Sequence, residues 1–136
     1  MNRYEMVNFD VKGDETGSLI AIEGNRSIPF DIKRVYYIYG TQAGIVRGKH
    51  SHRKLQQLIF CPIGNCDFIL DDGTSRETIH LHRPNQGIYV KGNIWREFTN
   101  FSRDCVVMVL ASDHYDESDY IRDYQAFRAS MRDGER

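Results

Sequence analysis

Two histidines one residue apart, His50 and His52, stand in the stretch RGKHSHRKLQQ (47–57) among basic and amide side chains. Imidazole changes charge near neutrality, so it can take or return a proton, or ligate a metal when neutral. In an extended strand, residues two apart face the same side. Both rings would then share one face, with Lys49 and Ser51 turned away. Three readings follow. The pair is half of a metal site, an acid–base couple that works without metal, or a structural pair whose polar atoms need partners in the barrel wall.

The surrounding chain has to supply a scaffold. At 136 residues it suits one domain, 1–136, with a single real core. The formal net charge is −1 and no basic block stands out, so nucleic-acid binding is not expected. There is no apolar run of about 18 residues, hence no expected membrane helix. The opening segment MNRYEMVNFDVKGDETG lacks the apolar stretch of an export signal, and a cytoplasmic location is expected.

Strand signals dominate. SLIAIE (18–23), IPFDIKRVYYIYG (28–40), LQQLIFCPIG (55–64), CDFILDDG (66–73), QGIYVKG (86–92) and CVVMVLAS (105–112) are rich in Val, Ile, Tyr and Phe and are punctuated by Gly, Asn, Asp or Pro. DDG at 71–73 reads as a hairpin turn. Short strands at such spacing imply an all-β sandwich or barrel. In DYIRDYQAFRASMR (119–132), Tyr120, Ile121, Tyr124, Phe127 and Met131 recur at helical spacing, which predicts a helix packed on that barrel. Cys61, Cys66 and Cys105 form no C-x-x-C pair and read as reduced, mostly buried thiols.

A larger pattern surrounds the histidine pair. Gly44, His50, His52, Gln57 and Gly64 have the spacing of the first cupin motif, with Gln57 where that superfamily usually has Glu. The segment GIYVKGNIWREFTN (87–100) resembles the second motif, with Arg96 where a third metal-binding His is usual. The resemblance implies a cupin jelly-roll barrel whose mouth holds the site. Metal is not expected there, because an amide is a weak ligand and a guanidinium repels a cation.

Further stretches resemble one group within the cupins, the sugar nucleotide 3,4-ketoisomerases that act on dTDP-4-keto-6-deoxy-glucose. These are GSLIAIEGNRSIPFDIKRVYYIYG, RGKHSHRKLQQ, LDDG, WREF and, most specifically, VVMVLASDHYDESDYIRDY. The resemblance implies a cofactor-free isomerase of deoxysugar biosynthesis whose product feeds a PLP aminotransferase. It also implies a homodimer, with exchanged N-terminal strands, and a dTDP-linked keto sugar as the bound partner. By the same resemblance His50 and His52 carry the proton transfers and Tyr37 assists. Arg47, Arg34, Arg96, Gln57 and Trp95 are then the substrate-contacting candidates. Arg at position 96 resembles the members that give a gluco-configured 3-keto product, although Thr16 stands where a larger residue such as Arg is expected. The alternatives are a dTDP-sugar epimerase, a non-enzymatic ligand-binding cupin and a metal-loaded oxygenase. His80 and His82 read as an exposed strand face, and His114 as a surface residue. The acidic run Asp113, Asp116, Glu117 and Asp119 reads as a solvated loop.

Overall fold

The computed structural model describes residues 3–134. Twelve strands run β1 (Tyr4–Asn8), β2 (Lys12–Asp14), β3 (Gly17–Leu19), β4 (Arg34–Ile38), β5 (Arg47–His52), β6 (Gln56–Ile63), β7 (Cys66–Asp71), β8 (Arg76–Leu81), β9 (Gln86–Lys91), β10 (Trp95–Thr99), β11 (Val106–Ala111) and β12 (Tyr120–Ile121), followed by helix α1 (Tyr124–Gly134). Two five-stranded antiparallel sheets face each other. Their orders are β1-β9-β6-β11-β4 and β12-β5-β10-β7-β8. This is the expected jelly-roll barrel with a short C-terminal helix.

The core between the sheets follows from strand alternation. Ile59, Cys61, Ile88, Val90, Val107 and Val109 project inward from the first sheet, to meet Cys66, Phe68, Leu70, Leu81 and Phe98 of the second. The first sheet is buried on its outer face too. There Leu58, Phe60, Tyr89 and Leu110 are covered by Phe9, Ile28 and Phe30. That double burial explains why β6 reads as a continuous apolar run rather than an alternating one.

Three expectations change in detail. The stretch 18–23 forms strand only at Gly17–Leu19, and most of 20–32 is an irregular cover whose Ile28 and Phe30 pack on the sheet. Strand β4 is correspondingly shorter than the apolar run that predicts it. The helix begins at Tyr124 rather than near 119, because Tyr120 and Ile121 pair with His52 and Ser51 of β5. Asp123 caps the helix, its Oδ1 accepting the Gln125 N–H at 3.1 Å.

Helix α1 lies on the outer face of the second sheet. Phe127, Tyr124 and Met131 pack on Trp95 and Ile121. Burying a side chain such as Phe127 contributes roughly 1.5–3 kcal/mol. A polar chain reinforces the dock: Ser51 Oγ donates to Asn93 Oδ1 at 2.5 Å, and Asn93 Nδ2 donates to Ser130 Oγ at 2.7 Å. Strand β1 pairs with β9 of the same chain, while the β2–β3 hairpin is exposed along its length. The turn at Asp72–Ser75 is the expected hairpin, with Asp72 Oδ1 accepting the Thr74 and Ser75 N–H groups.

Candidate active site

Strand β5 aims the histidine pair through a bulge. Arg96 of β10 lies opposite His50, yet Glu97 lies opposite Gly48, so Lys49 is the extra residue. Gly48 and Lys49 take φ values of 90° and 49°. A side chain at Gly48 would also crowd the Arg96 carbonyl, 3.2 Å from where its Cβ would stand. The bulge bends the Gly48 carbonyl back toward His50, whose Nδ1 is 2.9 Å away. A carbonyl only accepts, so Nδ1 carries the proton and Nε2 keeps its lone pair.

His52 is held the same way by a different group. Its Nδ1 faces Asp119 Oδ2 at 3.1 Å. Asp119 ends a 3-10 turn (Glu117–Asp119) that begins at Asp116, and its Oδ1 accepts the Lys54 N–H at 2.8 Å. The carboxylate thereby fixes the tautomer that leaves Nε2 of His52 free as a base. The two imidazoles sit edge to face with centroids 4.8 Å apart. Tyr120 lies beside both, 5.0 Å from His50 and 4.3 Å from His52.

Behind the pair is a buried cation. Arg96 donates from Nε and Nη2 to the Ile94 carbonyl and from Nη1 to Gln57 Oε1, and Gln57 Nε2 donates to the Tyr36 hydroxyl at 3.1 Å. The Tyr36 hydroxyl thus accepts and keeps its own proton to give. Burial, with the Tyr120 phenol beside it, holds the Tyr36 pKa above its ordinary value. Burial and the Arg96 charge depress both imidazoles. His50 falls from 6.5 to about 4, and His52 is also pushed well below its usual value. Burial lowers Arg96 itself to about 10, which leaves it a cation at neutral pH.

Two clefts meet at Tyr120 and Arg34. One, of about 400 Å³, is lined by His50, Tyr36, Arg47 and Arg122 among others. The second, of about 230 Å³, is lined by His52, Asp119, Asp116 and His114. Among the described residues, four buried polar side-chain atoms lack a hydrogen-bond partner, and three of them belong here: Nε2 of His50, Nε2 of His52 and Nε of Arg34. Buried groups are rarely left unpaired, so their convergence on one place marks a site built for a polar ligand.

Several expected residues are placed otherwise. Tyr37 is 59% exposed and contributes to the outer wall of the larger cleft rather than to the buried group around the histidines. Its neighbour Tyr36 shares the inward face of β4 with Arg34, as alternation requires. Trp95 is on the opposite face of β10 from Arg96, buried under α1, with Nε1 donating to Glu97 Oε2 at 2.8 Å. It does not reach the histidines. Gln57 and Arg96 are fully buried behind the cleft rather than lining it. Arg47 stands on the wall of the larger cleft. His80 lies on the exposed face of β8, paired with Asp67 at 2.8 Å, and His82 is exposed beside it. The acidic run is not merely a solvated loop, because Asp119 closes on His52 and Asp113 and Asp116 line the smaller cleft.

The chain matches the family model described as FdtA: WxcM-like, C-terminal, over residues 2–132. It belongs to that family. A curated relative from Aneurinibacillus thermoaerophilus, named TDP-4-oxo-6-deoxy-alpha-D-glucose-3,4-oxoisomerase, is 52% identical over 91% of this chain and 89% of its own. The 3,4-ketoisomerase of Thermoanaerobacterium thermosaccharolyticum, solved as a mutant in complex with TDP-4-keto-6-deoxyglucose, superposes with a TM-score of 0.96 at 39% identity, covering 98% of this chain and 96% of that one. A TDP-quinovose 3,4-ketoisomerase from Campylobacter jejuni gives 0.90 at 45%, covering 95% and 99%.

Within this FdtA-family chain the donor set does not suit a cation. The oxygen of Gln57 is occupied by Arg96, whose charge stands where a third ligand would have to be, and the histidines experience a positive potential. The site residues missed from the sequence are Tyr36, Asp119 and Tyr120. Alternation from Arg34 could have found Tyr36. The unusual SDHYDESDYIRDY run was the only signal for the other two.

Proposed function

We propose that the chain moves the ketone of dTDP-4-keto-6-deoxy-glucose from carbon four to carbon three. The observation that carries this is the pair of buried imidazoles, each with Nδ1 occupied as a donor and Nε2 left free. The names and bound ligand of the relatives support the substrate.

The reaction needs a base at carbon three, an acid at carbon four, and charge stabilisation for the enediolate between them. His50 is neutral at pH 7 and lines the larger cleft, so it takes the carbon-bound proton. His52, whose imidazolium the Asp119 carboxylate would stabilise, exchanges protons with the second position. Tyr36 donates to the keto oxygen. Arg96 supplies a fixed positive field a shell behind the ring, without contacting it. Arg47 and Arg34, on the cleft wall, match the diphosphate in charge. The gluco-configured 3-keto product is our reading, resting on Arg96.

The alternative of an epimerase would keep the ketone at carbon four. Incubation with the nucleotide sugar, followed by NMR of the ring, separates them. A new ketone at carbon three with the gluco configuration at carbon four is expected. Unchanged substrate in the presence of folded enzyme, or inversion without a ketone shift, would overturn the proposal.

We further read the enzyme as a cytoplasmic homodimer. The exposed Val35 and Tyr37 on edge strand β4, with Tyr39 just past its end, support association. Light scattering giving a monomer mass at working concentration would refute it.

A further inference from the structure

At the end of the barrel away from the histidines, Cys61, Cys66 and Cys105 converge. All three are free and buried. Cys61 Sγ lies 3.6 Å from Cys66 Sγ and 3.9 Å from Cys105 Sγ, and the three sulphurs all fall within 4.8 Å of one another. Cys61 is four residues along β6 from Gln57, a separation of about 13 Å in a strand. The cluster is therefore separate from the histidine site.

An atom bonded to three sulphurs at ~2.3 Å, a typical metal–thiolate length, needs them about 3.4 Å apart if the centre is pyramidal and about 4.0 Å apart if it is planar. The two short separations fall in that interval. The third pair, Cys66 and Cys105, lies within 4.8 Å, so a small rotation of one thiol completes the spacing for a three-coordinate thiophilic centre.

Charge selects which centre. The surroundings are apolar, with Phe68, Phe101, Ile59 and Val107 in the same core. Burial, then the Cys61 thiol and, least, the Asp104 carboxylate raise Cys105 to about 12. The hydrogen bond with the Cys66 thiol, then burial, raises Cys61 further. A net negative complex is costly in such a place. Three thiolates around a divalent ion carry −1, and around a monovalent ion −2. Around a trivalent ion they are neutral.

We propose that Cys61, Cys66 and Cys105 form a three-thiol site for trivalent arsenic, taken up as arsenite. Each As–OH bond is exchanged for an As–S bond. The three thiol hydrogens leave with the three hydroxides as three waters, arsenic stays trivalent, and no oxidant or reductant is involved. Neutral thiols suffice, so the raised pKa values do not block the exchange. Entry requires opening of the 62–65 turn against the 102–105 turn, where Ser102 N–H donates to the Asn65 carbonyl at 2.8 Å. Uptake is therefore slow and speeds on warming. Once seated, the centre ties the β6–β7 hairpin to the start of β11 and stabilises only the folded chain.

Native mass spectrometry of the full chain after warm incubation with arsenite tests this. One arsenic per chain is expected, with loss of three hydrogens, together with a raised Tm and no change in the activity assayed at the histidine site. Cys66→Ser and Cys105→Ala should abolish retention. Should either variant fail to fold, X-ray absorption on the loaded wild-type chain decides: three sulphur neighbours are expected. No adduct after warming, an adduct that loses only two hydrogens, or an arsenic with two sulphur neighbours and an oxygen would each overturn the proposal.

Discussion

Asp119 bridges two parts of the β5–β6 region: one oxygen lies 3.1 Å from His52 Nδ1 and the other accepts the Lys54 N–H at 2.8 Å. The backbone contact fixes which oxygen faces the ring. Asp119→Asn can turn an amide N–H toward Nδ1 and so reverse the tautomer of His52. We expect kcat to fall on the order of 10²–10⁴-fold with KM little changed. Steady-state kinetics beside circular dichroism checks this. A variant with full kcat would remove Asp119 from the machinery.

His50→Ala and His52→Ala should each lower kcat by about 10²–10⁴-fold. The double variant should be little worse than the poorer single one, because residues that act as a unit are not additive. Losses that multiply would indicate two independent roles.

His50 titrates at about 4 in the fold against 6.5 ordinarily, chiefly through burial and then Arg96. The unfolded chain therefore binds more protons than the folded one between those values. The stability due to neutral His50 is complete above pH 6.5 and is lost as pH falls toward 4. His52 is shifted the same way and adds to the slope. Tm should drop through this window, and His50→Gln should flatten the drop. Activity should show no inflection at 6.5, since the base stays unprotonated well below it. Thermal melts and kcat/KM across pH 4–8 read both.

Restoring the usual cupin ligands tests why metal does not suit this site. Arg96→His combined with Gln57→Glu removes the buried cation and gives three histidines and a carboxylate. That double variant should bind about one divalent transition ion per chain, while wild type binds none at the histidines. Metal analysis after dialysis checks it. Stoichiometric metal on wild-type His50 and His52 would contradict the role given to Arg96.

Trp95→Ala should cost about 3–5 kcal/mol, as large-to-small changes in a core do. It also loosens α1, which anchors the segment carrying Asp119 and Tyr120. Activity should fall below that of a variant equally destabilised elsewhere. Comparing it with Phe9→Ala, which lies under the other sheet, provides that control.

The barrel was largely legible because alternation, apolar runs and the Gly–His–His–Gln–Gly spacing are local. Double burial of the first sheet showed as continuous apolarity in LIFC. The site was less so. Asp119 is 67 residues from His52, and nothing in a run of acidic residues says which one turns back to the barrel. Tyr36 and Tyr37 differ by one position, and in a strand one position is the other face. Trp95 and Arg96 are likewise one position apart and so face opposite sides of β10. The helix began late because Tyr120 and Ile121, apolar at helical spacing, had an edge strand to join.

Asp119 and Tyr120 lie beyond β11, the last strand of the first sheet. Synthesis runs from the N-terminus, so His50 and His52 emerge about seventy residues before the groups that orient and wall them. A nascent chain can lay down most of its barrel while its imidazoles remain uncommitted. Isomerase activity therefore appears late in translation, and a chain cut between Ala111 and Asp119 would be well folded in large part yet catalytically silent.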